Sequence, residues 1–180
     1  YWSLTSLNYF FNSISSKIYK VEKIDTHGGS LRVYISKNQK VKIQKSVLEV
    51  LKEEEKFGIK EFKTYKNFEK KILQIKTNVR KNLKNLLNSH KNIVGYGSPA
   101  KATTALNFFG ISKEIECIIE DNKLKHGKFI PGVKIPIISK KNLKTDPNCV
   151  LVLAWNFFDE IKKNNQDLSK NFVSISELKN

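Results

Sequence analysis

The 180 residues predict an α/β protein: a three-layer domain with a mostly parallel sheet, preceded by a helix and a two-stranded segment. Three observations carry this. In the second half of the chain, short apolar runs alternate with helical stretches, the order that builds a parallel sheet through crossover helices. Those runs, among them Ile115 to Glu120 and Val150 to Ala154, are rich in Ile, Val and Leu almost without interruption, as strands covered on both faces must be. A glycine-rich turn, Gly95-Tyr96-Gly97-Ser98-Pro99-Ala100, stands where one such run passes into a helix.

Taken in order, Leu4, Leu7, Phe10, Phe11 and Ile14 recur at helical spacing behind Thr5 and Ser6 and predict a short opening helix. Ile18 to Ile24 and Leu31 to Ile35 predict strands, the second with Leu31, Val33 and Ile35 inward and Arg32 and Tyr34 on the opposite face. Between them Gly28-Gly29 permits backbone angles closed to other residues, so Asp25 to Ser30 is a tight turn presenting His27 and Ser30. From Ser46 to Ser89 the pattern is helical: a short segment on Val47, Leu48, Val50 and Leu51 capped by Ser46, then a long helix. In that helix Phe68, Ile72, Ile75, Val79, Leu83 and Leu86 form one packing stripe. Glu53-Glu54-Glu55 reads as solvated surface. Strands at Ile93 to Gly97, Ile115 to Glu120, Val133 to Ile138, Val150 to Ala154 and Phe172 to Ile175 alternate with helices at Pro99 to Phe109 and Phe157 to Lys163. Together they make one mononucleotide-binding half, a Rossmann-like domain. The chain so divides into a helix and strands over 1–45, a helical connector over 46–90, and the Rossmann-like domain over 91–180.

The 33 Lys and Arg against 17 Asp and Glu leave a net charge of +16, which invites a nucleic-acid reading. Only Arg32 and Arg80 are arginines, however, and Lys, Asn and Ile make up 68 of the 180 residues. That is the signature of an AT-rich coding bias. Phosphate grip and base reading favour the rigid fork of Arg, so no specific nucleic-acid partner is expected. No apolar run approaches the length of a membrane span. Cys117 and Cys149 lie inside apolar runs, with no second ligand at metal spacing, and read as buried thiols of a reducing, cytoplasmic compartment. Tyr1-Trp2-Ser3 lacks the basic and apolar regions of a secretory signal. The absence of Met predicts a piece excised from a longer protein.

The candidate site lies at the carboxyl ends of the strands. Gly95, Gly97 and Ala100 fit G-x-G-x-x-A, in which glycines let a phosphate approach the backbone and the helix N-terminus offers unpaired N–H groups. Ser98 belongs to the same turn, and Lys101 adds a charge in the first helical turn. Glu120-Asp121 follows the next strand, about where a ribose-binding acid belongs; Asp121 is placed to accept from a ribose hydroxyl or a base, and Lys125 or Lys128 to meet a phosphate. Asn122 continues that loop, in which His126 reads as exposed and without a role. Trp155-Asn156 ends the last buried strand, Trp155 either stacking on a base or capping the sheet. His27 has no Ser/Asp partner at triad spacing. His90 needs no role beyond the dipole of the long helix it ends. The same features admit a second reading, an NAD(P)-binding oxidoreductase module. Against it, Ser98-Pro99 and Lys101 crowd the loop, and neither Tyr-x-x-x-Lys nor a second half-domain follows.

His27-Gly28-Gly29-Ser30-Leu31-Arg32, the turn from Gly95 to Lys101, Asn107-Phe108-Phe109-Gly110-Ile111, Glu120-Asp121-Asn122 with Lys125, Gly127 and Pro131-Gly132, Ile135-Pro136-Ile137, and Leu153-Ala154-Trp155-Asn156 run in unbroken order. Together they resemble the C-terminal region of SAM-dependent sugar C-methyltransferases. The resemblance implies a Rossmann-like domain on the substrate side, packed against a SAM-binding domain and helping to hold a nucleotide-linked deoxysugar. It implies that His27, Ser30 and Arg32 face the substrate cleft, with His27 a possible cleft residue, and that Gly95, Gly97, Ser98 and Lys101 lie near the diphosphate. Asp121, Asn122, Trp155 and Asn156 match the remaining motifs. The family's SAM loop, its zinc-binding cysteines and its Glu-His base pair have no counterpart in these residues. Tyr1-Trp2-Ser3-Leu4 is similar to the stretch that follows the base pair. The resemblance therefore implies a fragment inactive alone, with no catalytic residue, no metal and no SAM bound to it, whose partners are the missing modules and the nucleotide sugar.

Overall fold

A computed structural model describes residues 2–26 and 29–180, arranged as two compact units, Tyr1–Glu69 and Lys70–Asn180. The division falls inside the long helix.

In the first unit, α1 (Leu4–Ser13) precedes an antiparallel hairpin of β1 (Lys17–Ile24) and β2 (Ser30–Ser36), followed by α2 (Lys45–Phe57) and the start of α3 (Phe62–Ser89). Its core is Leu4, Ile18, Val21, Val47 and Val50, with Leu31 and Val33 packed against it. Ile35 departs from the predicted inward alternation and is exposed; it pairs with Ile18 at the open end of the hairpin, where the register shifts. Ser3 caps α1 through a reciprocal box with Ser6. The Glu54 carboxylate accepts the Leu4 and Thr5 N–H groups at 2.7 Å and the Thr5 hydroxyl at 2.6 Å. Glu54 is thus a helix anchor rather than solvated surface, because a carboxylate offers the orphan N–H groups both charge and acceptors. Ser46 does not cap α2. Gln44 holds that position, and the Ser46 hydroxyl accepts from the Val21 N–H at 3.3 Å. The predicted stripe of α3 is buried only in its second half, at Val79 and Leu83, while Phe68 stays exposed.

The second unit holds five parallel strands: β3 (Ile93–Tyr96), β4 (Ile118–Ile119), β5 (Ile137–Ile138), β6 (Cys149–Val152) and β7 (Phe172–Ser174), in the order β5-β4-β3-β6-β7. Alternation within the strands sorts the core into two layers. Ile93, Ile118, Leu151 and Leu153 pack on one face with Val79 and Leu83 of α3 and Ala102, Leu106 and Phe109 of α4 (Ala100–Phe109). Val94, Tyr96, Ile119, Val150 and Val152 pack on the other with Phe158 and Ile161 of α5 (Phe158–Asn164). The α/β expectation holds, with helices on both faces of the sheet. β5 is shorter than predicted because Lys134 N–H bonds back to the Ile130 carbonyl at 2.9 Å, keeping residues 130–134 in a tight turn. Cys117 and Cys149 are free and buried, and burial pushes both thiols up to about 11. Among the described residues no helix is long and apolar enough to cross a membrane.

Candidate functional site

The chain leaves β3 for β4 and β5 on one side, then returns to β6 and β7 on the other. Strand order therefore reverses beside β3, the place where ligands bind in open α/β sheets. A cleft of about 520 Å³ opens there. Its walls come from the turn after β3 (Gly97, Ser98, Pro99), the loop after β4 (Glu120, Asp121, Lys125), and the segment from the end of β6 into α5 (Ala154, Phe157, Glu160).

Gly97 carries the turn. Its φ is +83°, and a Cβ there would sit 2.7 Å from the Cβ of Ala154, so glycine is required both by backbone angle and by close approach. Gly95 lies within β3, where a Cβ would meet Ile118 at 2.9 Å; it serves sheet packing and does not line the cleft.

Two adjacent carboxylates differ sharply. Glu120, directly after β4, is largely buried: Oε2 accepts the Ser98 N–H at 2.9 Å, the Ser98 hydroxyl at 2.5 Å and the Lys125 ammonium at 3.3 Å, while Oε1 accepts the Asn122 N–H at 3.0 Å. Burial opposes its charge, but the bonds from Ser98, Asn122 and Lys125 outweigh burial and hold the carboxyl at about 2. Asp121 is exposed on the cleft and accepts the Tyr96 hydroxyl at 2.9 and 3.1 Å. Burial, then the bond to Asp121 and its charge, push Tyr96 up to about 12, so the phenol stays a donor that orients Asp121. Among the described residues neither Asp121 nor Glu160 forms an ion pair.

The remaining sequence candidates make other contacts. Asn122 caps the turn Lys123–Lys125 by accepting from the Leu124 N–H. Lys101 lies over the Trp155 ring at 4.3 Å, a cation–π contact; neither residue lines the cleft. Trp155 is partly buried against the core, and Asn156 is exposed beside it. His126, expected to be idle, meets the Glu120 backbone carbonyl through Nε2 at 2.6 Å. Ser30 and Arg32 belong to the first unit. The Ser30 hydroxyl donates to the Thr26 carbonyl, and Arg32 pairs with Glu22 at 3.5 Å beside Lys20 and Tyr34. His27 lies outside the described residues. Sequence reasoning passed over Phe157, which is 60% exposed and lines the cleft, and Glu160. The only signal for them was position: both follow the apolar run that became β6. Among the described residues no group of His, Cys, Asp and Glu is placed to hold a metal ion.

A family model described as the C-methyltransferase C-terminal domain matches residues 25–174. The chain is also similar to the C-methyltransferase NovU of Streptomyces niveus, with 32% identity over 174 residues, covering 95% of this chain and 41% of that protein. It thus spans about two-fifths of the length of that relative.

Proposed function

The chain belongs to the C-methyltransferase C-terminal domain family, and on that premise we propose that it is the substrate-side domain of a SAM-dependent C-methyltransferase acting on a nucleotide-linked deoxysugar. The observation that carries the reading is the cleft at the strand reversal, with an exposed aromatic, Phe157, and two carboxylates, Asp121 and Glu160, open to hydroxyl donors. Such a lining suits a sugar or ribose ring: apolar ring faces lie on aromatics, and carboxylates accept from hydroxyls.

Methylation at carbon needs an acidified C–H, a base and an aligned methyl donor. SAM supplies the electrophilic methyl when bound, and the family's SAM loop has no counterpart in these residues. Glu120 takes the Ser98 N–H that would otherwise meet a dinucleotide's pyrophosphate, which argues against the NAD(P) reading. The work proposed for these residues is therefore to hold the acceptor: Tyr96 fixes Asp121, Asp121 and Glu160 take hydroxyls, and Phe157 takes a ring face. The SAM-binding and zinc modules of the parent protein are its proposed partners.

Titration calorimetry on this chain with dTDP-glucose, and separately with SAM, tests the reading. Saturable heat is expected with the nucleotide sugar and none with SAM. SAM binding, or silence with the nucleotide sugar, overturns it.

A further inference from the structure

In nucleotide sites of this topology, the N–H groups following the glycine turn point at a phosphate. Here the Ser98 N–H and hydroxyl both point at Glu120. Lys125, the cation nearest the turn along the cleft, binds the same carboxylate oxygen and also donates to the Ser98 carbonyl at 2.9 Å, tying loop to loop. His126 holds the Glu120 backbone carbonyl. On the Gly97 side the turn lies close to Ala154, leaving no space for so much as a Cβ. A phosphate entering the turn would have to displace a carboxylate that holds four donors. It would do so beside Asp121 and Glu160, in a cleft where Lys125 is the one cation among the lining residues. Separating a largely buried anion from its donors without replacing them is strongly unfavourable.

We propose that Glu120 is a specificity-determining residue: its carboxylate fills the anion seat of the Gly97–Pro99 turn, so the cleft admits an uncharged, hydroxyl-bearing ring and leaves the ligand's phosphates outside. The proposal rests on the reading of the cleft as a ligand site and assigns which part of the ligand enters. β3 lies between β4 and β6, so a ring lying across the end of β3 has Asp121, from the loop after β4, on one side and Phe157, from the turn after β6, on the other.

The test is amide NMR of the chain titrated with pyrophosphate and with dTDP-glucose. A protein of charge +16 attracts pyrophosphate to its surface, so the readout is the Ser98 amide alone. In the wild type, pyrophosphate is expected to leave Ser98 unmoved, whereas dTDP-glucose moves Asp121 and Phe157. In Glu120→Ala, pyrophosphate is expected to shift Ser98 saturably, with an affinity gain at that site of at least about tenfold. A wild-type Ser98 amide that follows pyrophosphate overturns the proposal, as does a folded Glu120→Ala chain whose Ser98 ignores it. Glu120→Gln, which keeps the shape and removes the charge, takes over the comparison where the alanine variant does not fold. If dTDP-glucose moves no cleft amide while both pyrophosphate results hold, the ligand reading fails and the assignment of Glu120 to the anion seat stands.

Discussion

The hairpin unit and the sheet unit use their polar residues in opposite ways. In the hairpin unit, Arg32, Glu22, Lys20 and Tyr34 satisfy one another on the outer face of two paired strands, and Ser30 closes its own turn. In the sheet unit, residues 97, 120 and 157, far apart in sequence, meet at one edge. Topology makes the difference. A hairpin spreads its side chains over a surface, whereas parallel strands joined by crossovers deliver every loop of one end to the same place. The motif His27 to Arg32 is as conspicuous in sequence as Gly95 to Lys101; of its described residues, Gly29, Ser30 and Leu31 border a cavity with Trp2 and Leu7, whereas Gly97 and Ser98 stand where the loops after three strands converge.

Breaking that edge should cost most. Gly97→Ala puts a Cβ 2.7 Å from Ala154 at a φ of +83°, and the clash and backbone strain together are expected to lower stability by about 3 kcal/mol. Urea denaturation measures it, and a loss below about 1 kcal/mol would show that the turn adapts.

Next comes the lock on Ser98. The Glu120 carboxyl is depressed from 4.5 to about 2, so its contribution is fully present above its unfolded value and is lost as pH falls through the folded one. Allowing for solvent screening, the contribution is about 2 kcal/mol. The stability gap between wild type and Glu120→Gln should therefore be constant above about pH 5 and close towards pH 2. A gap independent of pH would mean that shape, and not charge, holds the loop.

The hairpin unit has its own anchor, and Glu54→Ala should release the α1 N–H groups at a cost of about 1 to 2 kcal/mol. That residue also marks a limit of reading from sequence. Glu54 lies between two other glutamates, and nothing local distinguishes it; its partner is some fifty residues upstream. The strands and helices were legible because burial imprints periodicity on each segment by itself. Which carboxylate faces inward is set by distant chain segments, and so Glu120 and Asp121 could be placed at the right edge without revealing that one is spent on Ser98 and the other open. Phe157 went unnoticed for the same reason: an aromatic beside an apolar run looks like core until the cleft beside it is seen.

Within the cleft, Phe157→Ala should leave stability nearly unchanged, since the side chain is 60% exposed, and weaken dTDP-glucose about fivefold, close to 1 kcal/mol of lost stacking. Calorimetry reads both quantities on one sample. Unchanged affinity would remove Phe157 from the ligand's path.

The smallest effect tests the other unit. Arg32 meets Glu22 at 3.5 Å with more than half of its side chain exposed, and an ion pair so long and so solvated is worth no more than about 0.5 kcal/mol. Arg32→Gln should accordingly leave both the denaturation midpoint and dTDP-glucose affinity within twofold of wild type in equilibrium constant. Because Glu22 keeps Lys20 and the Tyr34 hydroxyl, the substitution strands no buried charge, and any larger effect must come from a ligand. A tenfold loss of nucleotide-sugar affinity with stability intact would show that Arg32 itself meets the ligand.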